Sequence, residues 1–180
     1  MFKVKSTKIG ILGGSFDPAH KGHLKISKIA LKKIKLKKIY WIVTKKNPFK
    51  DKTFFPLKDR IDKAKKISSK IKNIEVLYID DVIKSSKSIK VIQYILKKKK
   101  PKDLYFILGS DILLKFHKWH SWKRIVKLTK LIVFSRKGYD RKSKKTIVVK
   151  YLNKNNIIFI KNRPIKVSST LLRRRIKRQN

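Results

Sequence analysis

The sequence predicts an α/β protein in which helices cover both faces of a parallel sheet. Two observations support this fold class. Short apolar runs, each long enough for one buried strand, alternate with segments whose apolar residues recur at helical spacing. Polar or glycine-rich clusters follow several of these runs, and ligands of doubly wound sheets bind beyond the carboxyl ends of the strands. Because no repeat or linker-like change of composition interrupts the pattern, we expect the 180 residues to form one domain.

The first half of the chain contains three predicted strand–helix pairs. Strands are expected at 8–13, 38–43 and 74–79, where apolar runs are bounded by lysines or polar residues. Helices are expected at 21–35, 57–71 and 85–100; in the second of these, apolar residues recur from Leu57 to Ile71 at helical spacing. Serines 85 and 86 are suited to capping the third helix, and Pro101 ends it.

The second half of the chain continues the alternation less regularly. Strands are predicted at 104–108, 131–134 and 157–160, with a short helix ending at Leu128 between the first two. Residues 141–156 form a polar stretch in which 147–152 suits either a helix or a strand. A capped basic helix is predicted at 167–176.

The composition restricts the class of protein. There are no cysteines, which excludes disulfides, thiolate zinc sites and cysteine nucleophiles. No apolar run approaches the ~20 residues that cross a membrane, and the run after the basic N-terminus is too short for a signal peptide, so a cytoplasmic location is expected. The 52 Lys and Arg against 10 Asp and Glu give a formal charge of +42, which indicates either anionic ligands or a lysine-rich compositional bias.

The stretch from Gly10 to Leu24 is the strongest functional signal from the residues themselves. A buried strand runs into Gly13-Gly14-Ser15, and His20 and His23 then stand where a helix begins. Free N–H groups and the helix dipole favour anions at such a position, so phosphate contact is predicted for both histidines. The glycine spacing matches neither the P-loop nor the dinucleotide fingerprint, and the histidines lack the spacing of a helical zinc motif.

Two motifs carry a resemblance to a known family. Gly13-Gly14-Ser15-Phe16-Asp17-Pro18-x-His20-x-Gly22-His23 resembles the first signature of the nucleotidylyltransferase superfamily, and Ser168-Ser169-Thr170-x-x-Arg173 resembles the second. Gly109-Ser110-Asp111 followed by Trp119 narrows the resemblance to the bacterial nicotinate-nucleotide adenylyltransferases, along nearly the whole chain. The segments 47–50 and 136–139 also stand where that family has similar ones. The resemblance implies a Rossmann-like fold and adenylyl transfer from ATP to nicotinate mononucleotide, with Mg²⁺ accompanying ATP.

The resemblance also implies roles for individual residues. Those expected to act in catalysis are His20, His23 and Arg173. Those expected to bind ATP are Gly13, Gly14, Ser15, Phe16, His20, His23, Ser168, Ser169, Thr170 and Arg173, with main-chain contacts at Ser15 and Phe16. Those expected at the acceptor nucleotide are Asn47, Lys50, Ser88, Asp111, Trp119 and His120.

Several alternatives stay open at this point. Asp111 could cap a helix instead of contacting a ribose, and Trp119 could belong to the core instead of stacking on a pyridine ring. His120 and Lys87 stand where relatives often have aromatic residues, which leaves the choice between nicotinate and nicotinamide mononucleotide open. Phosphopantetheine adenylyltransferases usually have Thr where this chain has His20. From another class, a basic nucleic-acid-binding protein would suit the charge but lacks a recognisable motif.

Overall fold

The computed structural model describes residues 7–45, 52–152, 154–162 and 167–177. Six parallel strands form one sheet in the order β3-β2-β1-β4-β5-β6. The strands are β1 (Lys8–Gly14), β2 (Lys38–Val43), β3 (Ile74–Leu77), β4 (Asp103–Gly109), β5 (Lys130–Phe134) and β6 (Ile157–Ile160). The predicted α/β class and parallel sheet are therefore confirmed.

Helices connect the strands and follow the last one. They are α1 (Lys21–Ile34), α2 (Leu57–Ser68), α3 (Ser88–Lys99), α4 (Ser110–Leu113), α5 (Trp122–Leu128), α6 (Asp140–Ser143), α7 (Ile147–Tyr151) and α8 (Ser169–Lys177). Short 3₁₀ turns lie at Phe116–Lys118 and Lys154–Asn156. None of the helices within the described ranges is long and apolar enough to cross a membrane.

The strand order reverses between β1 and β4. The chain builds outward from β1 through β2 to β3, then returns to the other side of β1 and builds outward again through β4, β5 and β6. Loops after β1 and β4 consequently leave the sheet in opposite directions, and a crevice forms between them. The Gly13–Gly14 end of β1 and the Gly109 end of β4 lie at this crevice.

Two hydrophobic clusters fill the space between the sheet and its helices. One contains Ile11 and Phe106 of the sheet, packed with Ile92 of α3 and Ile125 of α5. The other lies on the opposite face, where strands β1 and β2 meet Ala30 of α1 and Ala64 of α2. Burial on both faces explains why the strands appear in the sequence as continuous apolar runs.

Gly10 shows how tightly α1 and its connection pack on the sheet. A Cβ atom at this position would lie 2.9 Å from Leu36 Cδ1 and 3.1 Å from Ile107 Cδ1. Contacts this short would force the neighbouring side chains to move. The glycine therefore lets the connection between α1 and β2 lie close to the centre of the sheet.

The structure corrects some predicted boundaries. Helix α3 begins at Ser88, not at residue 85, and its N-cap is Lys87, which makes no side-chain capping bond. The two serines are used elsewhere: Ser85 Oγ accepts from Lys87 N–H, and Ser86 Oγ donates to Asp80. Helix α2 ends three residues before 71, β3 ends before 79, and the polar stretch after β5 forms the short helices α6 and α7.

Candidate functional site

A cleft of about 440 Å³ opens at the carboxyl ends of β1, β4 and β5. Its walls come from the start of α1, the turn between β4 and α4, the segment after β5 and the start of α8. The polar residues on these walls include His20, His23, Asp111, Arg136, Asn162 and Ser168. A cleft of this size is large enough for a small organic ligand such as a nucleotide.

His20 and His23 form a reciprocal cap at the start of α1. His20 is the N-cap residue, and its Nδ1 accepts from Gly22 N–H at 3.0 Å. Nδ1 of His23 accepts from His20 N–H at 3.2 Å. Because an accepting Nδ1 carries no proton in a neutral imidazole, each neutral ring has its proton on Nε2. Both rings, 3.9 Å apart between centroids, therefore offer an Nε2–H donor at a cleft that they both line.

The charge state of His20 is set by its surroundings. Burial, with a smaller contribution from the nearby positive charge of Arg136, lowers the pKa of His20 to about 4. Both effects disfavour the imidazolium form. In the absence of a ligand, His20 is therefore a neutral hydrogen-bond donor at pH 7, and it keeps its role as the cap of α1.

The ring of Phe16 packs against the ring of His23. Its side chain is only 3% exposed, and its ring lies 4.8 Å from the His23 ring and 5.2 Å from the Trp41 ring. The indole of Trp41 is itself fixed by donation from Nε1 to Ser27 Oγ of α1. The backbone of Phe16 has φ 46°, a left-handed conformation that costs a non-glycine residue on the order of 1 kcal/mol. Aromatic packing thus holds the loop after β1 in an unusual conformation.

Asp17 of the first motif contacts Arg173 of the second, which lies 156 positions later in the chain. Its side chain is 2% exposed, and its carboxylate accepts from Phe54 N–H and Phe55 N–H, each at 2.9 Å. Arg173 of α8 donates to the Asp17 carbonyl oxygen and lies 3.5 Å from its carboxylate. The Arg173 guanidinium also donates to Thr170 Oγ1 at 3.2 Å. The predicted phosphate-binding arginine is therefore held beside the glycine-rich loop.

The start of α8 is capped and docked on the same loop. Ser168 Oγ accepts from Leu171 N–H at 3.2 Å, so the predicted capping of this helix is confirmed at Ser168. Ser169 Oγ donates to Pro18 O at 3.0 Å. The N-terminus of α8 consequently faces the cleft beside the start of α1, and two helix N-termini contribute to one anion-favouring region.

Asp111 occupies the opposite wall of the cleft. It is the second residue of α4, and Gly109 is the N-cap, so the alternative of Asp111 as the cap is wrong. Asp111 Oδ1 lies 3.7 Å from Arg136 Nε and has no hydrogen-bond partner among the described residues. Any Cβ at position 109 would overlap Asp111 Oδ1. Glycine there allows the carboxylate to fold back over the end of β4.

Asp140 fixes the segment that carries Arg136. Asp140 Oδ1 accepts from Ser110 Oγ at 2.7 Å and from Arg136 N–H at 3.0 Å. Burial opposes ionisation of this carboxyl, but the hydrogen bonds from Ser110, Arg136 and Ser135 outweigh it, so the pKa of Asp140 lies below its usual value. The carboxylate thus ties the turn after β4 to the segment after β5, and these two segments form one side of the cleft.

The predicted acceptor residues are less closely grouped in the structure. Trp119 is partly buried and packs on Phe116 at 5.0 Å and on Phe106 at 5.9 Å, so one part of its ring belongs to the core. His120 is exposed, and Ser88 is the first residue of α3. Asn47 and Lys50 lie outside the described residues. Ser88, Trp119 and His120 are not among the described residues that line the cleft.

Reasoning from the sequence missed two residues at the site. Arg136 stands in a segment that the sequence singled out, but it received no role there, although it lines the cleft and pairs with Asp111. Arg60 received no attention at all, although its side chain is among the largest that are fully buried. One signal could have found it: Arg60 is the first arginine of a lysine-rich chain, and the next is Arg124.

Comparison with protein families and curated proteins gives a consistent result. The model of the family described as "Cytidylyltransferase-like" matches residues 11–175. A protein of Pelagibacter ubique named "Probable nicotinate-nucleotide adenylyltransferase" is 49% identical over 94% of each chain. A protein of Aquifex aeolicus with the same name is 36% identical over 89% of this chain and 98% of its own.

Solved structures share the fold. The structure titled as Plasmodium falciparum nicotinic acid mononucleotide adenylyltransferase complexed with NaAD superposes with a TM-score of 0.72. The match covers 93% of this chain and 83% of that one, at 18% sequence identity. At this identity the likeness supports the α/β fold and the strand arrangement described above.

Proposed function

The chain belongs to the cytidylyltransferase-like family, among its nicotinate-nucleotide adenylyltransferases, and from this membership we propose that it transfers an adenylyl group from ATP to nicotinate mononucleotide. The products are nicotinate adenine dinucleotide and pyrophosphate, in a step of NAD biosynthesis. The observation that carries the proposal is the reciprocal histidine cap of α1, which lines one cleft together with the capped start of α8.

The chemistry requires little from the protein beyond position and charge. The phosphate of nicotinate mononucleotide attacks the α-phosphorus of ATP, a P–O bond forms, and the bond to the β-phosphate oxygen breaks as pyrophosphate leaves. The attacking oxygen is already anionic at pH 7, so no general base is needed. Catalysis then depends on holding the two phosphates in line and on donors placed where negative charge develops.

Residues of the cleft suit these two tasks. We assign the Nε2–H groups of His20 and His23 to the α- and β-phosphate oxygens of ATP. The N-terminus of α8, with Ser168, Ser169 and Thr170, and the guanidinium of Arg173 would neutralise the rest of the triphosphate. Gly13, Gly14, Ser15 and Phe16 would contribute main-chain contacts in the nucleotide pocket, as the family resemblance implies.

The acceptor would lie on the β4 side of the strand-order reversal. The carboxylate of Asp111, which lines the cleft, would accept from a ribose hydroxyl, and the partly buried ring of Trp119 would stack on the pyridine. We extend the same proposal to Ser88, His120, Asn47 and Lys50 at the nicotinate or its phosphate. Preference for nicotinate over nicotinamide mononucleotide belongs to this proposal as well.

Mg²⁺ would enter with ATP. Within the described ranges, no group of three or more His, Asp, Glu or Cys side chains is arranged to hold a metal ion. Such a site fits an ion coordinated by phosphate oxygens and water, as is usual for Mg²⁺ on nucleotides. When bound, the ion would screen the charge of the triphosphate and of the leaving pyrophosphate. A cytoplasmic location and a single nucleotidylyltransferase domain over residues 1–180 stay predictions.

Product identification tests this proposal. The protein is incubated with ATP, Mg²⁺ and nicotinate mononucleotide, and the products are separated and identified by mass spectrometry. We expect nicotinate adenine dinucleotide and pyrophosphate in equal amounts. Absence of the dinucleotide would overturn the proposal, and tight, steeply salt-dependent DNA binding without turnover would favour the nucleic-acid-binding alternative.

A further inference from the structure

Arg60 is buried at the carboxyl ends of β1 and β2, and among the described residues its hydrogen bonds go to backbone carbonyls. Its side chain is 2% exposed. Nη1 donates to Ser15 O at 2.6 Å and to Thr44 O at 2.8 Å, and Nε donates to Phe55 O at 3.1 Å. These carbonyls belong to the loop after β1 and to the two ends of the segment that joins β2 to α2. One guanidinium therefore connects three backbone positions around the site.

Burial of a cation costs desolvation free energy, which its hydrogen bonds have to offset. Burial lowers the pKa of Arg60, and the negative charges of Asp17 and Asp80 partly offset that effect. A guanidinium suits such a position better than an ammonium, because its rigid fork directs several N–H groups and it is more weakly hydrated. The use of arginine here, in a chain whose positive charges are mostly lysines, fits this requirement.

Asp17 and Asp80 bind the same two ends of the segment. Asp17 accepts from Phe54 N–H and Phe55 N–H at one end. At the other end Asp80, 4% exposed, accepts from Thr44 Oγ1 at 3.0 Å and from Lys45 N–H at 2.8 Å. Residues 44–45 and 54–55, which we call the stems, are thus held by Arg60 through their carbonyls and by the two carboxylates through their N–H and hydroxyl groups.

The bond to Ser15 also sets the direction of a peptide in the nucleotide loop. The C=O of Ser15 and the N–H of Phe16 belong to one planar trans peptide and point in opposite directions. Because Arg60 holds the carbonyl, the Phe16 N–H is directed away from the guanidinium. Phe16 is also the residue whose left-handed backbone has to be maintained at φ 46°.

We propose that Arg60 is a positioning residue for adenylyl transfer, the centre of a buried clamp with Asp17 and Asp80 that aligns the stems with the Ser15–Phe16 peptide. This inference rests on the proposed function. In this proposal Arg60 does not contact the substrate. Its effect passes through the backbone of the loop after β1 and through the stems, which flank in sequence the Asn47 and Lys50 proposed above at the acceptor.

Steady-state kinetics of Arg60→Lys test the proposal. Lysine keeps the charge but cannot direct separate N–H groups at three carbonyls. We expect KM for nicotinate mononucleotide to rise at least about fivefold, with kcat also lower. A merely structural role would reduce kcat only in proportion to the folded fraction and leave KM unchanged. Ile95→Val, a buried change in α3 away from the stems, is the control that shows how a destabilised core alone affects the kinetics.

A second variant decides the matter if Arg60→Lys fails to fold. Asp80→Asn keeps the shape of the side chain but weakens its bonds to Thr44 and Lys45, and the proposal requires a KM increase of about twofold to threefold. Unchanged KM values in the folded variants, with an active wild-type protein, would overturn the clamp alone. An inactive wild-type protein would instead overturn the proposed function.

Discussion

The backbone N–H of His20 donates to Nδ1 of His23 over 3.2 Å, while Nδ1 of His20 accepts from Gly22 N–H. Each ring therefore uses Nδ1 to begin α1, and the proposal above assigns its Nε2–H to a phosphate oxygen. This division couples the stability of the helix start to the placement of two hydrogen-bond donors. It also means that the two functions of each histidine can be separated by substitution.

His23→Glu separates the cap from the donor. A glutamate at this position can still accept from His20 N–H, as in the usual capping box, but it removes Nε2–H and adds a negative charge facing phosphate. We expect the melting temperature to stay close to that of the wild type and kcat to fall at least ~10²-fold. His23→Ala should lose both functions, with about 1 kcal/mol of stability. Near-wild-type kcat/KM in either variant would contradict the assignment of His23 to phosphate.

The lowered pKa of His20 predicts a pH dependence of stability. In the unfolded chain the imidazole takes up a proton near pH 6.5, whereas in the folded protein it does so only near pH 4. Between these values the unfolded state binds more protons, so the free energy of unfolding should fall as the pH falls. After allowing for solvation of the ring, the loss is on the order of 1 kcal/mol between pH 7 and pH 4.5.

His20→Asn provides the comparison for that measurement. Asparagine is a good N-cap residue and does not titrate, so it keeps the helix start while removing the proton uptake. Urea unfolding of both proteins at pH 7 and pH 4.5 should show a smaller loss for the variant. An equal loss in the two proteins would mean that His20 is not responsible.

Arg173 is expected to serve both the fold and the reaction. Its guanidinium holds the Asp17 carbonyl in the ligand-free structure and lies beside the loop that we assign to ATP. Arg173→Ala should therefore lower kcat/KM for ATP at least ~10²-fold and cost about 1 kcal/mol of stability. Arg174→Ala, which alters an exposed neighbour in the same helix, is the matched control and should change neither value appreciably. Similar kinetics for the two variants would contradict the assignment of Arg173 to ATP binding.

Trp119 distinguishes a stacking role from a core role. If its partly buried ring binds the pyridine ring, Trp119→Ala should raise KM for nicotinate mononucleotide about tenfold and KM for ATP less than about twofold. Removal of a large ring from the contacts with Phe106 and Phe116 will also lower stability. Kinetics are therefore measured well below the melting temperature. Equal changes in both KM values would indicate a core tryptophan.

The sequence predicted strand boundaries well where neighbouring residues alone determine them. β2 and β6 were predicted with the bounds that the structure gives, because their apolar runs end abruptly at polar residues. The start of α3 was wrong because Ser86 can cap a helix or bind a carboxylate, and the sequence alone does not show that Asp80 competes for its hydroxyl.

The same distinction applies to the site. The histidine pair and the Ser168 cap depend on neighbours a few residues away, so their pattern is visible in the chain. Arg60 binds backbone carbonyls, and Ser15 O lies 45 positions before it. Every residue has a carbonyl, so no side-chain pattern indicates which ones a buried arginine will contact. Only the assembled sheet brings these groups together.

A comparison of acceptors tests the central claim most directly. Pyrophosphate release is followed with ATP, Mg²⁺ and one acceptor at a time: nicotinate mononucleotide, nicotinamide mononucleotide or phosphopantetheine. We predict the highest kcat/KM for nicotinate mononucleotide, at least about tenfold above nicotinamide mononucleotide, and no release with phosphopantetheine. No release with either pyridine nucleotide, or faster release with phosphopantetheine, would contradict the assignment of this site to nicotinate mononucleotide adenylylation.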